Sequence, residues 1–216
     1  MLLPLDPSYI FVIFMLTLGP IKTVPKFFFL TREASPAFRN RVALQSTLLA
    51  TGVSLFIALI GVYVLGKWRV SLDALRLSGG LILLLSALKV VTNQSPINTE
   101  PKNKITIDTP LSASLSLAFS PMATPIIITP YGVVAILFFM SIAKSDDTFK
   151  GEVIALIFLM MVLNYVGMLL AKRIMKTLGF PILGLIGWIF AVMQSALAID
   201  VMLSAFKSLG VIKNFS

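Results

Sequence analysis

Six apolar stretches, each long enough to cross a bilayer, constrain this chain more than any other feature. They run over about 9–30, 42–66, 74–91, 111–143, 153–171 and 181–206. A hydrocarbon core of about 30 Å takes roughly 20 helical residues, because a helix rises about 1.5 Å per residue. Only 12% of the 216 residues are charged and 57% are apolar. An average soluble domain carries about 25% charged residues, so this chain has too little charge to solvate a globular surface of its size. The composition predicts an all-α, multi-pass membrane protein and excludes a soluble enzyme and a disordered chain. Residues 1–8 lack the positive start and small-residue cleavage site of a signal peptide, so they read as part of the mature chain.

The chain has no Cys and no His. This removes disulfides, cysteine nucleophiles, the usual zinc sites and histidine acid–base chemistry. No Asp or Glu lies deep in any stretch and there is no P-loop, so the reading is not an enzyme, with no cofactor and no metal. The net charge of +9 is distributed between the apolar stretches and no basic stripe with interleaved aromatics occurs, which argues against nucleic acid and for lipid headgroups as partners. Lys26, Arg32, Arg39, Arg41, Lys89, Lys102, Lys104, Lys172, Arg173 and Lys176 fall in the odd-numbered loops. Lys67, Arg69, Arg76, Lys144, Lys150, Lys207 and Lys213 fall on the other side. The denser set marks the cytoplasmic face, which places both termini outside a cytoplasmic membrane.

The two halves of the chain resemble each other. Gly19-Pro20-Ile21-Lys22-Thr23-Val24-Pro25 in the first stretch corresponds to Ser120-Pro121-Met122-Ala123-Thr124-Pro125 in the fourth, at an offset of 101. Gly79-Gly80 before Ser86-Ala87-Leu88 corresponds to Gly187 before Ser195-Ala196-Leu197. Three stretches per half require the second half to be inverted, a transporter architecture. The organisation read is therefore a first three-helix repeat over 1–92, a polar connecting loop over 93–110 and a second, inverted repeat over 111–216.

Two Pro within five residues should break a helix, since each removes a donor and clashes with the preceding turn. Both breaks lie about 15 Å into their stretches, near the midplane. Helices one and four are thus expected to be discontinuous, with half-helix starts at Thr23–Pro25, Thr124-Pro125 and Thr129-Pro130, a hydroxyl at N-cap and Pro near N1. Such starts present free N–H groups and positive dipole ends to a carboxylate, and unwound carbonyls near Gly19 and Ser120 would face an ammonium or a cation. The alternative is a pair of kinks that only shape packing.

At these segments the sequence resembles the MarC family of six-span inner-membrane proteins, whose members include small neutral amino-acid transporters of the SnatA type. The resemblance is carried by Gly19 to Pro25 with Phe27 to Thr31, by Ser120 to Gly132, and by Gly79-Gly80. It implies a six-span inverted-repeat fold in a bacterial or archaeal cytoplasmic membrane, with substrate held between the broken first and fourth helices. Many relatives have Asn before the first Pro where this chain has Gly19, and Gly-Pro-Gly after the second segment where it has Thr129-Pro130-Tyr131-Gly132. Both departures touch the implied pocket, so substrate identity is not carried over.

Other polar residues within the stretches have two readings each. Lys22 pairs with a substrate carboxylate or snorkels to the interface. Asn164 and Gln194 clamp helices together or face the pocket, and Asp200 is solvated at the outer end or couples to protons. Gln45, Ser46, Thr47 and Thr51 read as bonding within their own helix or to a neighbour, and Gly52, Gly61 and Gly167 as points of close helix approach. The expected function is a secondary transporter or exchanger for a small polar solute, most simply a small neutral amino acid, driven by Na⁺, H⁺ or exchange. The alternative is a channel or a regulatory membrane protein. The apolar surfaces suit an oligomer as well as lipid.

Overall fold

The computed structural model describes residues 6–92, 114–143 and 146–212, and these are helical apart from caps and short turns. The connecting loop read at 93–110, together with Lys102, Lys104, Lys144 and Lys213, lies outside the described residues. Eight helices are distinguished. They are α1 (Pro7–Leu18), α2 (Pro20–Thr31), α3 (Pro36–Lys67), α4 (Leu72–Thr92), α5 (Ser114–Ile127), α6 (Pro130–Ile142), α7 (Asp147–Gly179) and α8 (Gly184–Ser208). Taken as Pro7–Thr31, α3, α4, α7, α8 and the bent α5–α6 pair, they make five candidate membrane spans, or six with the bent pair. The protein is all-helical, with apolar helices long enough to cross a bilayer.

A polar cap followed by Pro starts most of the helices that meet inside the bundle. Asp6 accepts from the Ser8 N–H ahead of α1, Ser35 from the Phe38 N–H at 3.3 Å ahead of α3, and Thr129 from the Gly132 N–H at 3.2 Å ahead of α6. Pro at the first helical position has no N–H to leave unsatisfied and its φ is already helical. Helix α7 outlasts its apolar stretch and ends only at Gly179, whose φ of +67° suits a residue without a Cβ. Lys172, Arg173 and Lys176, read from sequence as a loop, therefore lie on the last turns of α7, where cations favour the helix dipole.

Regular helix is interrupted at Gly19 and over Ala118–Ile127, and it resumes at other points than those read from sequence. Helix α2 begins at Pro20 with Gly19 as N-cap, and Pro25 lies inside it. The start read at Thr23–Pro25 is thus corrected by one turn, because Pro20 already supplies the first position. In the fourth stretch Ser120 (φ −137°, ψ 125°) and Thr124 (φ −132°, ψ 127°) are extended and the segment Ala118–Ile127 is wound irregularly. No regular helix starts at Thr124-Pro125, since Pro121 and Pro125 withhold two donors four residues apart. Regular helix resumes at Thr129-Pro130, and α5 and α6 meet at 63°. Pro20 and Pro130, and Pro36 and Asp147, then begin helices 110 and 111 residues apart.

The broken helices sit at the centre. Helix α1 packs on α6 and α7 through Ile10, Phe14, Phe139, Val153 and Ile157, with the Phe14 and Phe139 rings edge-on at 5.6 Å. Helix α2 packs on α5 and α7 through Val24, Phe27, Met122, Ile127 and Met168. Helix α3 covers α5 and α6, while α8 runs antiparallel along α4, from Gln194 at Leu83 to Ser208 at Asp73. The outer faces are apolar, as at Leu48, Phe56, Leu59, Leu185 and Val192, whereas Ser46, Ser54, Asn164 and Gln194 are buried. That inversion of the soluble pattern is the one a lipid solvent selects. Ser46, Thr47 and Thr51 bond carbonyls of their own helix, and Gln45 accepts from the Ser114 hydroxyl at 2.8 Å.

Gly167 on α7 is a point of close approach. A Cβ there would lie 2.8 Å from Val24 Cγ2 and 3.1 Å from Pro20 Cβ, while Gly61 faces Leu137 and Gly52 faces open space. Gly167→Val should destabilise the protein by about 1–3 kcal/mol through overpacking. Gly52→Ala should leave the midpoint unchanged or slightly higher. Thermal unfolding in detergent separates the two.

Candidate functional site

Interrupting α1 and α2 at Gly19 frees backbone groups that the membrane interior cannot solvate. Side chains from two other helices meet the carbonyls. The Thr129 hydroxyl donates to the Thr17 carbonyl at 2.9 Å, and Asn164 Nδ2 donates to the Leu18 carbonyl at 2.7 Å and to Met160 O at 2.8 Å. Thr129, Thr17 and Asn164 are all buried. Asn164 is thus an interhelical clamp, and its amide oxygen has no hydrogen-bond partner among the described residues.

The N–H side of the break is less well met. Gly19 has no side chain with which to cap α2, and the first N–H groups of a helix have no partner within it. Thr23, one turn in, is fully buried and its hydroxyl has no partner among the described residues. Lys22 turns inward to α6, donating to the Tyr131 hydroxyl, with Nζ 4.2 Å from the ring centroid. Tyr131 is itself buried, and Ser86 and Gln194 act on its hydroxyl. Gln194 also donates to the Leu83 carbonyl at 3.4 Å. The arrangement gathers one ammonium, an uncapped helix start, one hydroxyl and one amide oxygen at a mid-span break.

The model for MarC family integral membrane proteins matches residues 8–209. The chain belongs to the MarC family. A UPF0056 membrane protein of Methanocaldococcus jannaschii is 27% identical over 190 residues, 88% of this chain and 90% of that one. A second UPF0056 membrane protein of that archaeon is 28% identical over 137 residues, 63% of this chain and 59% of that one. The UPF0056 inner membrane protein MarC of Escherichia coli is 26% identical over 140 residues, 63% of this chain and 62% of its own. No solved structure matches.

Within this MarC-family chain the sequence-read residues divide into two groups. Gly19, Pro20, Lys22, Thr23, Thr129, Asn164 and Gln194 lie at the α1–α2 break or one helix away from it. Ser120, Pro121, Thr124 and Pro125 lie in the irregular part of α5, where the Thr124 hydroxyl donates to Phe119 O at 3.4 Å, and Pro25 lies within α2. The partner of the first break is the start of α6. Tyr131 was named from sequence only as a departure from relatives at the implied pocket, and Thr17 was not singled out. The adjacency of Tyr131 to the N-cap pair Thr129-Pro130 was a usable signal, whereas nothing local marks Thr17. Asn164→Leu and Thr129→Val should each lower stability by about 1–3 kcal/mol, since each leaves a buried carbonyl unpaired. Thr47→Val should change it by less than about 0.5 kcal/mol, because its bond is to its own helix. Thermal melts of the three variants test the ranking.

Proposed function

We propose that this integral membrane protein is a secondary carrier for a small zwitterion, most simply a small neutral amino acid, working by alternating access. One observation carries the reading: at mid-span, buried polar groups with no partner (Thr23 Oγ1 and Asn164 Oδ1) adjoin an uncapped helix start. Unpaired polar groups in hydrocarbon are expensive, and a solute that satisfies them on arrival gives the cost a use. The substrate carboxylate takes the α2 amides and the Lys22 ammonium, and the substrate ammonium takes Asn164 Oδ1. Catalysis is not part of this reading.

The helix starts spaced by 110 and 111 residues support two repeats of one design. So do the exchanged contacts, with α1 on α6 and α7 where α5 is on α2 and α3. In this reading the repeats are inverted, both termini lie outside a cytoplasmic membrane, and one repeat rocks against the other about the breaks, driven by Na⁺, H⁺ or exchange.

Counterflow of radiolabelled glycine, alanine and serine in proteoliposomes, with and without imposed Na⁺ and pH gradients, tests this. Saturable flux is expected. Thr23→Val should reduce it roughly tenfold with an unchanged melting point, because the hydroxyl makes no bond in the resting protein and one hydrogen bond to substrate is worth about that factor. Folded, inserted protein with no saturable flux of any of the three would overturn the reading.

A further inference from the structure

A groove opens on the outer side of the bundle where α3 ends and α7 begins. It has a volume of about 580 Å³ and lies between α3, α6 and α7. Ala58 and Met140, both buried, form its floor, and Leu59 and Val62 line its sides. Its other end is polar, with Lys67 of α3 and Lys150 of α7 beside Tyr63. Ala58 to Lys67 covers about 14 Å of α3 at helical rise. That is close to half of a hydrocarbon core of about 30 Å, so the groove runs about one leaflet deep.

The lysine end stands at the water boundary. Tyr63 and Trp68 are exposed there, and exposed Tyr and Trp favour the interface between hydrocarbon and water. Lys67 closes α3, and its Nζ stands 5.4 Å from the Tyr63 ring centroid. Lys150, on the first turn of α7, pairs with Asp147 Oδ1 at 2.6 Å, and Asp147 is exposed to water. The Asp146 carboxylate is occupied as the cap of α7, accepting from the Thr148 and Phe149 N–H groups. No carboxylate, Glu152 included, lines the groove among the described residues. Two ammonium groups against the carboxylate of Asp147 leave a positive charge unmatched at the rim.

An apolar trough with a cationic rim at the interface matches one kind of molecule. A phosphodiester lipid carries the negative charge that the rim lacks, and its acyl chain has the apolar surface to fill the trough. A soluble anion would leave the apolar wall uncovered, and a neutral lipid would leave Lys67 without a counter-charge. Gly66 also lines the groove, and a Cβ built there meets nothing within 4 Å, so α3 leaves room for a headgroup beside Lys67. We propose that this groove binds one anionic glycerophospholipid, with its phosphate between Lys67 and Lys150 and one acyl chain laid over Ala58 and Met140. The site is separate from the α1–α2 break and does not rest on the carrier reading.

Lysine acetylation of the full-length protein in detergent tests the site, with each lysine read in its peptide by mass spectrometry. Dioctanoyl phosphatidylglycerol should slow acetylation of Lys67 and Lys150 severalfold and leave Lys207, exposed near the end of α8, unchanged. Dioctanoyl phosphatidylcholine, with no net charge, should protect severalfold less, and glycerol 3-phosphate, with no acyl chain, should not protect. Gly66→Leu puts a side chain into the groove at a position where the helix gains from the change, so the folded variant should lose the protection. The proposal is overturned if phosphatidylglycerol protects neither lysine, if Gly66→Leu keeps full protection, or if phosphatidylcholine protects as well. It is overturned equally if glycerol 3-phosphate protects as well, which marks a site for a soluble anion, or if Lys207 is slowed to the same extent, which marks diffuse charge. Protection without lipid that grows with protein concentration would give the groove to a second copy of the chain instead.

Discussion

Everything central in this fold follows from one constraint: a backbone carbonyl freed inside a membrane must find a donor in the protein. Gly19 breaks the helix between Leu18 and Pro20, and the Thr17 and Leu18 carbonyls lose their helical partners. Their replacements come from Thr129, which caps α6, and from Asn164 on α7. One defect in α1–α2 thereby fixes the register of two other helices. It explains why α6 starts where it does, since Thr129 Oγ1 serves both its own helix cap and the break. It also explains why α7 approaches closely enough to need Gly167.

The sequence reading located the apolar spans and the prolines near which regular helix is interrupted. Apolar length and proline are strong signals because lipid allows few alternatives to a complete helix. The point where each helix resumes was less legible. Thr23-Val24-Pro25 has the local grammar of a helix start, but Pro20 had already supplied one, and Pro25 lies inside the running helix at the cost of one backbone hydrogen bond. In the fourth span the match at offset 101 aligned motifs and not geometry. Two prolines four residues apart kept α5 irregular until Thr129-Pro130, so similar dipeptides came to do different work. Tyr131 was hard to read for another reason. Its hydroxyl meets Lys22, more than a hundred residues away in sequence, and no local pattern encodes that distance.

Tyr131 joins the break to an apolar cavity between α1, α4, α6 and α8. Its hydroxyl accepts from Lys22 at the break, and its side chain also lines that cavity. Thr17 shares the position, with its carbonyl facing Thr129 and its hydroxyl donating to Ile13 O at 2.7 Å. Both residues line the cavity and take part in the hydrogen bonds around the break. In the proposed carrier, a substrate carboxylate reaching the break would take the Lys22 ammonium from Tyr131. The exchange is chemically even, because a carboxylate is a better acceptor for an ammonium than a phenol hydroxyl, and the released phenol still has Ser86 and Gln194 beside it. A lysine this deep would be costly if left unpaired. Pairing it to a neutral hydroxyl holds it in place at modest strength, whereas an acidic partner on a neighbouring helix would compete with a carboxylate ligand and close the site.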